Sequence, residues 1–94
     1  MTGNTAELFE CIDKAMAALK SDHRLQEISF AHDYYWDIDI ETAINIADGD
    51  PTLQVGSLMD DLEAIRRIGS GGDSINSVEL NAIASVLRYI SRIV

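Results

Sequence analysis

The chain has 94 residues, 47% of them hydrophobic, a single cysteine and a formal net charge of −9 at pH 7. That length suits one small globular domain, residues 1–94, with a modest core. The lone Cys11 excludes an internal disulfide, and the acidic balance argues against nucleic-acid backbones and anionic membrane surfaces as partners.

Asn4 or Thr5 can cap a first helix, because Leu8, Ile12, Ala15, Met16 and Leu19 recur at three- and four-residue spacing, and Ser21 and Asp22 end it. Cys11 lies beside that stripe and reads as a small packing residue with no assigned chemistry. Residues Gln26 to His32 are mixed, consistent with a strand or a turn of helix. Tyr34, Trp36, Ile38 and Ile40 then alternate with Tyr35, Asp37, Asp39 and Glu41. In an extended segment this sends Tyr34 and Trp36 inward and Tyr35 outward with the carboxylates. An extended Tyr34 to Asp37 feeding a helix of about Asp39 to Ala47 is the favoured reading, with Asp37 or Asp39 as its cap. Acidic residues in its first turn suit the helix dipole.

Asp48, Gly49, Asp50 and Pro51 form the strongest break in the chain. Thr52 to Val55 is a short connection or small strand. Ser57 opens a helix signal whose stripe is Leu58, Leu62, Ile65 and Ile68, ending by Gly69. Gly69 to Asp73 reads as an interhelical loop, too short to separate domains. Asn76 with Glu79 three residues on forms a capping-box pattern before a last helix, Ser77 to Arg92, with an apolar stripe of Val78, Ile83, Val86, Leu87, Ile90 and Val94. The expected architecture is mainly α: about four helices and a short extended aromatic segment. The alternative is α+β, with Gln26 to His32 pairing with Tyr34 to Ile38 as a two-stranded sheet.

The charge is concentrated rather than spread. Residues 25 to 65 contain ten carboxylates and no lysine or arginine, while the rest of the chain sums to +1. Crowded like charge favours a basic partner, which relieves the repulsion and is steered to the site. Enzymatic readings find little support. His23 and His32 are the only ordinary bases and neither sits in a catalytic motif, so no nucleophile, base and orienting group can be assigned. One cysteine and two histidines lack zinc-ligand spacing. Asp37, Asp39, Glu41 and Asp48 fall at calcium-loop positions, but Thr42 stands where such a loop needs glycine and Asp48 where it uses glutamate. Asp60 and Asp61 are adjacent on a helix and point about 100° apart, which suits helix-start solvation better than paired acid–base work. No metal or cofactor is therefore expected.

The segments Asp33 to Ile38 (DYYWDI), Val55 to Asp61 (VGSLMDD) and Leu87 to Ile90 (LRYI) resemble a pattern in small acidic bacterial proteins, mostly of unassigned role, some of which are immunity proteins. The resemblance implies a bacterial binding protein, and it carries neither a mechanism nor a site residue with it; those of its members that are immunity proteins act by covering a toxin's active site. Joined to the charge, it gives the leading expectation: a non-enzymatic immunity or inhibitor module that presents Tyr35, Trp36, Asp37, Asp39, Glu41, Asp48, Asp50, Asp60 and Asp61 to a basic cleft, such as that of a nuclease. The alternative is a regulatory or structural module that self-associates as a homodimer through a spare stripe on the last helix. With no basic start or uninterrupted apolar stretch near the amino terminus, and no span of roughly 18 apolar residues, a cytoplasmic location is expected.

Overall fold

The structure is a computed structural model that describes residues 2–38, 40–45, 47, 53–71 and 74–94. Helix α1 spans Thr5–Lys20, and a single 3₁₀ turn follows at His23–Leu25. Strand β1 (Tyr34–Ile38), the short helix α2 (Ile40–Ile44), strand β2 (Leu53–Ser57), α3 (Leu58–Gly69) and α4 (Ser77–Ile90) complete the order. The chain divides into two compact units, one reaching from the amino terminus to Ser29 together with Arg92–Val94, the other Phe30–Ser91. Among the described residues the chain is thus mainly helical, with one small two-stranded sheet.

In the first unit, the Asn4 side chain accepts the Glu7 backbone N–H at 3.0 Å, which satisfies one of the free donors of the first turn of α1. Lys20 in the last turn complements the dipole, and the Ser21 N–H bonds back to the Leu19 carbonyl. Asp22 caps the 3₁₀ turn, accepting from the Arg24 backbone at 2.9 Å and from its guanidinium at 2.7 and 3.1 Å. The Arg24 side-chain bonds are the main reason its carboxyl is lowered to about 2. Cys11 is exposed rather than packed.

The second unit is built on α3 and α4, which pack together through Leu58, Ala64, Ala82 and Val86, its buried apolar residues. The capping box is formed: Asn76 accepts from the Val78 N–H at 2.9 Å, and the Glu79 carboxylate accepts from the Asn76 N–H at 3.3 Å. After α3 the chain turns through Gly71 at φ +78°, a left-handed angle that glycine adopts without strain. Phe30 lies against Tyr89 of α4 with ring centroids 5.1 Å apart, and the Ala31 N–H donates to the Tyr89 hydroxyl at 3.1 Å.

The sheet pairs β1 with β2, antiparallel, in the register Tyr34↔Ser57, Tyr35↔Gly56, Trp36↔Val55, Asp37↔Gln54 and Ile38↔Leu53. This corrects the alternative pairing with residues 26–32, which lie outside any strand. A second correction concerns α2, five residues long where about nine were expected, with Asp37 inside β1 rather than at a helix cap. Asp39 and Ala47's neighbours Ile46 and Asp48 lie outside the described residues, as do Gly49 to Thr52.

Candidate partner-binding surface

The two faces of the β1–β2 ribbon are the reverse of those expected from hydropathy. Tyr35 and Asp37 are half-buried on the side of the helices, whereas Tyr34 and Trp36 are exposed. The physical reason lies opposite Tyr35. A Cβ on Gly56 would overlap the Tyr35 ring, so the ring lies directly over a residue with no side chain. Glycine inside a strand commonly marks such a close approach. From there the Tyr35 hydroxyl reaches both helices: its oxygen is 2.6 Å from Asp61 Oδ2 on α3 and 2.9 Å from Ser85 Oγ on α4. With one proton to give, Tyr35 donates to the carboxylate, and its oxygen is left to accept from Ser85. The Ser85 hydroxyl can alternatively donate to the Asn81 carbonyl at 2.9 Å.

Removal from water is the largest effect on both partners. It raises the Tyr35 phenol to about 12, assisted by the adjacent Asp61 charge, while Ser85 opposes the shift. It also raises the Asp61 carboxyl above its usual range, against the Tyr35 hydrogen bond, and Asp37, Asp60 and Asp33 push it further in the same direction. The Ser85–Tyr35–Asp61 chain superficially resembles a charge relay. Its bonds join β1 to α3 and α4, so the chain of hydrogen bonds ties the ribbon to both helices.

Asp33 is a carboxylate whose role sequence reading missed. It precedes β1, yet it accepts from the Ser57 hydroxyl at 2.9 Å and from the Met59 N–H at 3.0 Å, and its carbonyl accepts from the Leu58 N–H at 2.7 Å. It therefore caps α3 from 24 residues away, beside the local Ser57 cap on the Asp60 N–H. No local signal points to it, because the contact spans the chain.

The structure thus gathers Asp37 and Asp61, half-buried, with exposed Asp60 and the unforeseen Asp33 into one electrostatic neighbourhood. Among the described residues, no lysine, arginine or histidine forms an ion pair with any of the four. A groove of about 290 Å³ opens beside Asp37, with Ile38, Ile40 and Gln54 on one side and Ser85 and Arg88 on the other. Glu41 is exposed on α2 and does not contribute to the Asp61 shift. Asp39, Asp48 and Asp50 lie outside the described residues. Tyr35, expected as an outward anchor, points to the helices instead, and Trp36, expected inward, is 69% exposed.

A calcium loop does not fit this geometry, since Asp37 lies in a strand and Glu41 in a helix. Among the described residues no three histidine, cysteine, aspartate or glutamate side chains gather as a metal site. Nor is any described helix long and apolar enough to cross a membrane.

The outward face of the ribbon is the feature the sequence reading placed on the wrong side. Tyr34 is 72% exposed, Val55 64%, Leu53 53% and Ile38 43%, and with Trp36 they form one apolar surface. A shallow groove of about 260 Å³ runs among Tyr34, Tyr35, Trp36 and Val55. The expected spare stripe on α4 is instead partly occupied: Ala82 and Val86 are buried, and Ile83, Leu87 and Ile90 are half-buried. No family model, curated protein or solved structure matches the chain.

Proposed function

We propose that the chain is a non-catalytic acidic binding module, of the immunity or inhibitor kind, that covers the basic cleft of a toxin such as a nuclease. One observation carries the reading. Four carboxylates, Asp33, Asp37, Asp60 and Asp61, converge from separate segments with no ion-pair partner among the described residues; burial raises the Asp61 carboxyl above its ordinary range, and the charges of Asp37, Asp60 and Asp33 add to that shift. A folded domain that leaves such repulsion uncompensated gains when a cationic surface arrives. The groove beside Asp37 gives a lysine or arginine of that surface access to the half-buried carboxylate. The resemblance to small acidic bacterial proteins, some of them of immunity type, points the same way.

The test is affinity capture from the source cell at low salt, repeated with charge-reversed variants. Reversal at exposed Asp60 and Glu41 is expected to abolish capture of a basic protein that reversal at Glu7 and Glu10 leaves in place, and raised salt should weaken capture of the native chain. Equal losses from both pairs would sink the reading.

A further inference from the structure

We infer that the outward face of the ribbon, Tyr34, Trp36, Ile38, Leu53 and Val55, is the contact through which two copies of this chain form a symmetric dimer.

Among the described residues the face carries no charged side chain. The register places Trp36 opposite Val55 and Ile38 opposite Leu53, and the carboxylate of β1, Asp37, belongs to the other side. A chain of net charge −9 repels its own copies wherever carboxylates meet. Here Asp37 and Asp61 lie on the Tyr35 side of the ribbon and Asp60 stands on α3, while Asp33 is engaged at the Tyr34 end by Ser57 and the Met59 N–H, so a face-to-face pair centred on Trp36 and Val55 brings neutral surfaces together. A basic protein, by contrast, finds no carboxylate beside Trp36 and Val55 among the described residues to meet its charge. The occupant that fits is neutral and apolar, and a second copy supplies that surface.

Shape supports the same choice. A two-fold contact must be self-complementary, each copy offering both the projection and its receptacle. Trp36 projects beside the groove that it lines with Tyr34, Tyr35 and Val55, so each tryptophan can enter the groove of the other copy. Stacked sheets pack about 10 Å apart through such interdigitated side chains. The size is suitable for a reversible dimer. Fully covered aromatic side chains bury roughly 150–250 Å² each, so five large residues make a patch of a few hundred Å², the size that marks an interaction site on a monomer surface. Two such patches with their rims approach the lower end of specific interfaces, about 1,200 Å² in total. The dimer should therefore dissociate in the micromolar range.

Sedimentation velocity on the native chain across the micromolar range tests this, alongside emission of Trp36, the only tryptophan. A dimer that dissociates on dilution, with the emission shifting to the red as Trp36 returns to water, is the expected result. Trp36→Ser and Val55→Glu should each raise the dissociation constant by about tenfold or more, as loss of a central aromatic anchor or burial of a charge does, with far-ultraviolet circular dichroism unchanged. Added salt should leave the dimer intact or strengthen it, opposite to capture of a basic partner, so the two readings fail separately. A native chain that stays monomeric throughout, or variants that associate as tightly as the native chain, would overturn the inference.

Discussion

The two faces of one five-residue ribbon have exchanged the roles that hydropathy assigns them. On the helix side, Tyr35 and Asp37 are half-buried, with Tyr35 tied by hydrogen bonds to Asp61 and Ser85. On the other side, Tyr34 and Trp36 stand in solvent beside Val55. Strand periodicity fixes only that alternate residues part company; which set turns inward depends on what the facing elements can accept. Here α3 and α4 present a carboxylate and a hydroxyl, and only a tyrosine over a glycine reaches both. The apolar set is displaced outward as a consequence, which leaves Tyr34, Trp36 and Val55 as an exposed apolar patch.

The strongest way to break this comparison is to refill the space under Tyr35. Gly56→Val places side-chain atoms where the ring lies, so either the ring leaves or the strands separate. A loss of about 2–3 kcal/mol in urea unfolding is expected, at the upper end for overpacking. Tyr35→Ser should recover much of that loss in the double variant, giving a coupling that independent sites would not show. Additive losses would mean that the ring over Gly56 does not set the orientation of the ribbon.

Next in size is Asp33, which joins the ribbon to α3. Asp33→Ala removes the acceptor for the Ser57 hydroxyl and the Met59 N–H, and a cost of about 1–2 kcal/mol follows from the usual value of a helix cap. Asp33→Asn keeps a side-chain oxygen and should cost less than half as much. Thermal unfolding of the two variants checks both; equal costs would mean that the carboxylate charge, rather than the acceptor, holds the helix start.

The caps also show what was legible in the sequence. Asn4, Ser57 and the Asn76–Glu79 box act within three residues of themselves, and each helix start they mark is where the sequence places it. The Asp33 cap and the β1–β2 pairing join residues far apart in the chain, and nothing local encodes them. The one available clue to the inverted ribbon was Gly56, a glycine inside a strand-like stretch, which points to a close approach by a large side chain. Of the expected binding residues, Asp37, Asp60 and Asp61 do come together. Tyr35 does not join them outward because its hydroxyl finds better partners inside.

Tyr35→Phe probes the helix-facing side more gently. Loss of the bond to Asp61 should cost about 1 kcal/mol at neutral pH, the usual net value of one hydrogen bond. Its pH signature is more specific. The folded phenol is raised from 10.0 to about 12, so the fold holds its proton where the unfolded chain has lost it. That contribution is fully present below pH 10 and is lost as pH rises through about 12. Asp61, raised above 3.8 chiefly by burial, follows the same sign, its stabilising effect fading as pH rises through its raised value. Tyr35→Phe should therefore lose less stability than the native chain between pH 10 and 12, measured by urea unfolding at each pH. A constant difference across that window would mean that the phenol proton is not held by the fold.

The smallest effect belongs to the outward face, and its smallness is the point. At concentrations where the chain is monomeric, Tyr34→Ser and Trp36→Ser remove side chains that are 72% and 69% exposed, so their effect on unfolding should lie within about 0.5 kcal/mol. Tyr35, between them in sequence, should cost more, although its side chain is no larger than that of Tyr34 and smaller than that of Trp36. Two large aromatic residues that contribute almost nothing to the monomer, next to one that holds it together, would separate a residue serving the fold from residues left for the proposed association. Should Trp36→Ser unfold the monomer, the outward face is part of the core and cannot be a contact between copies.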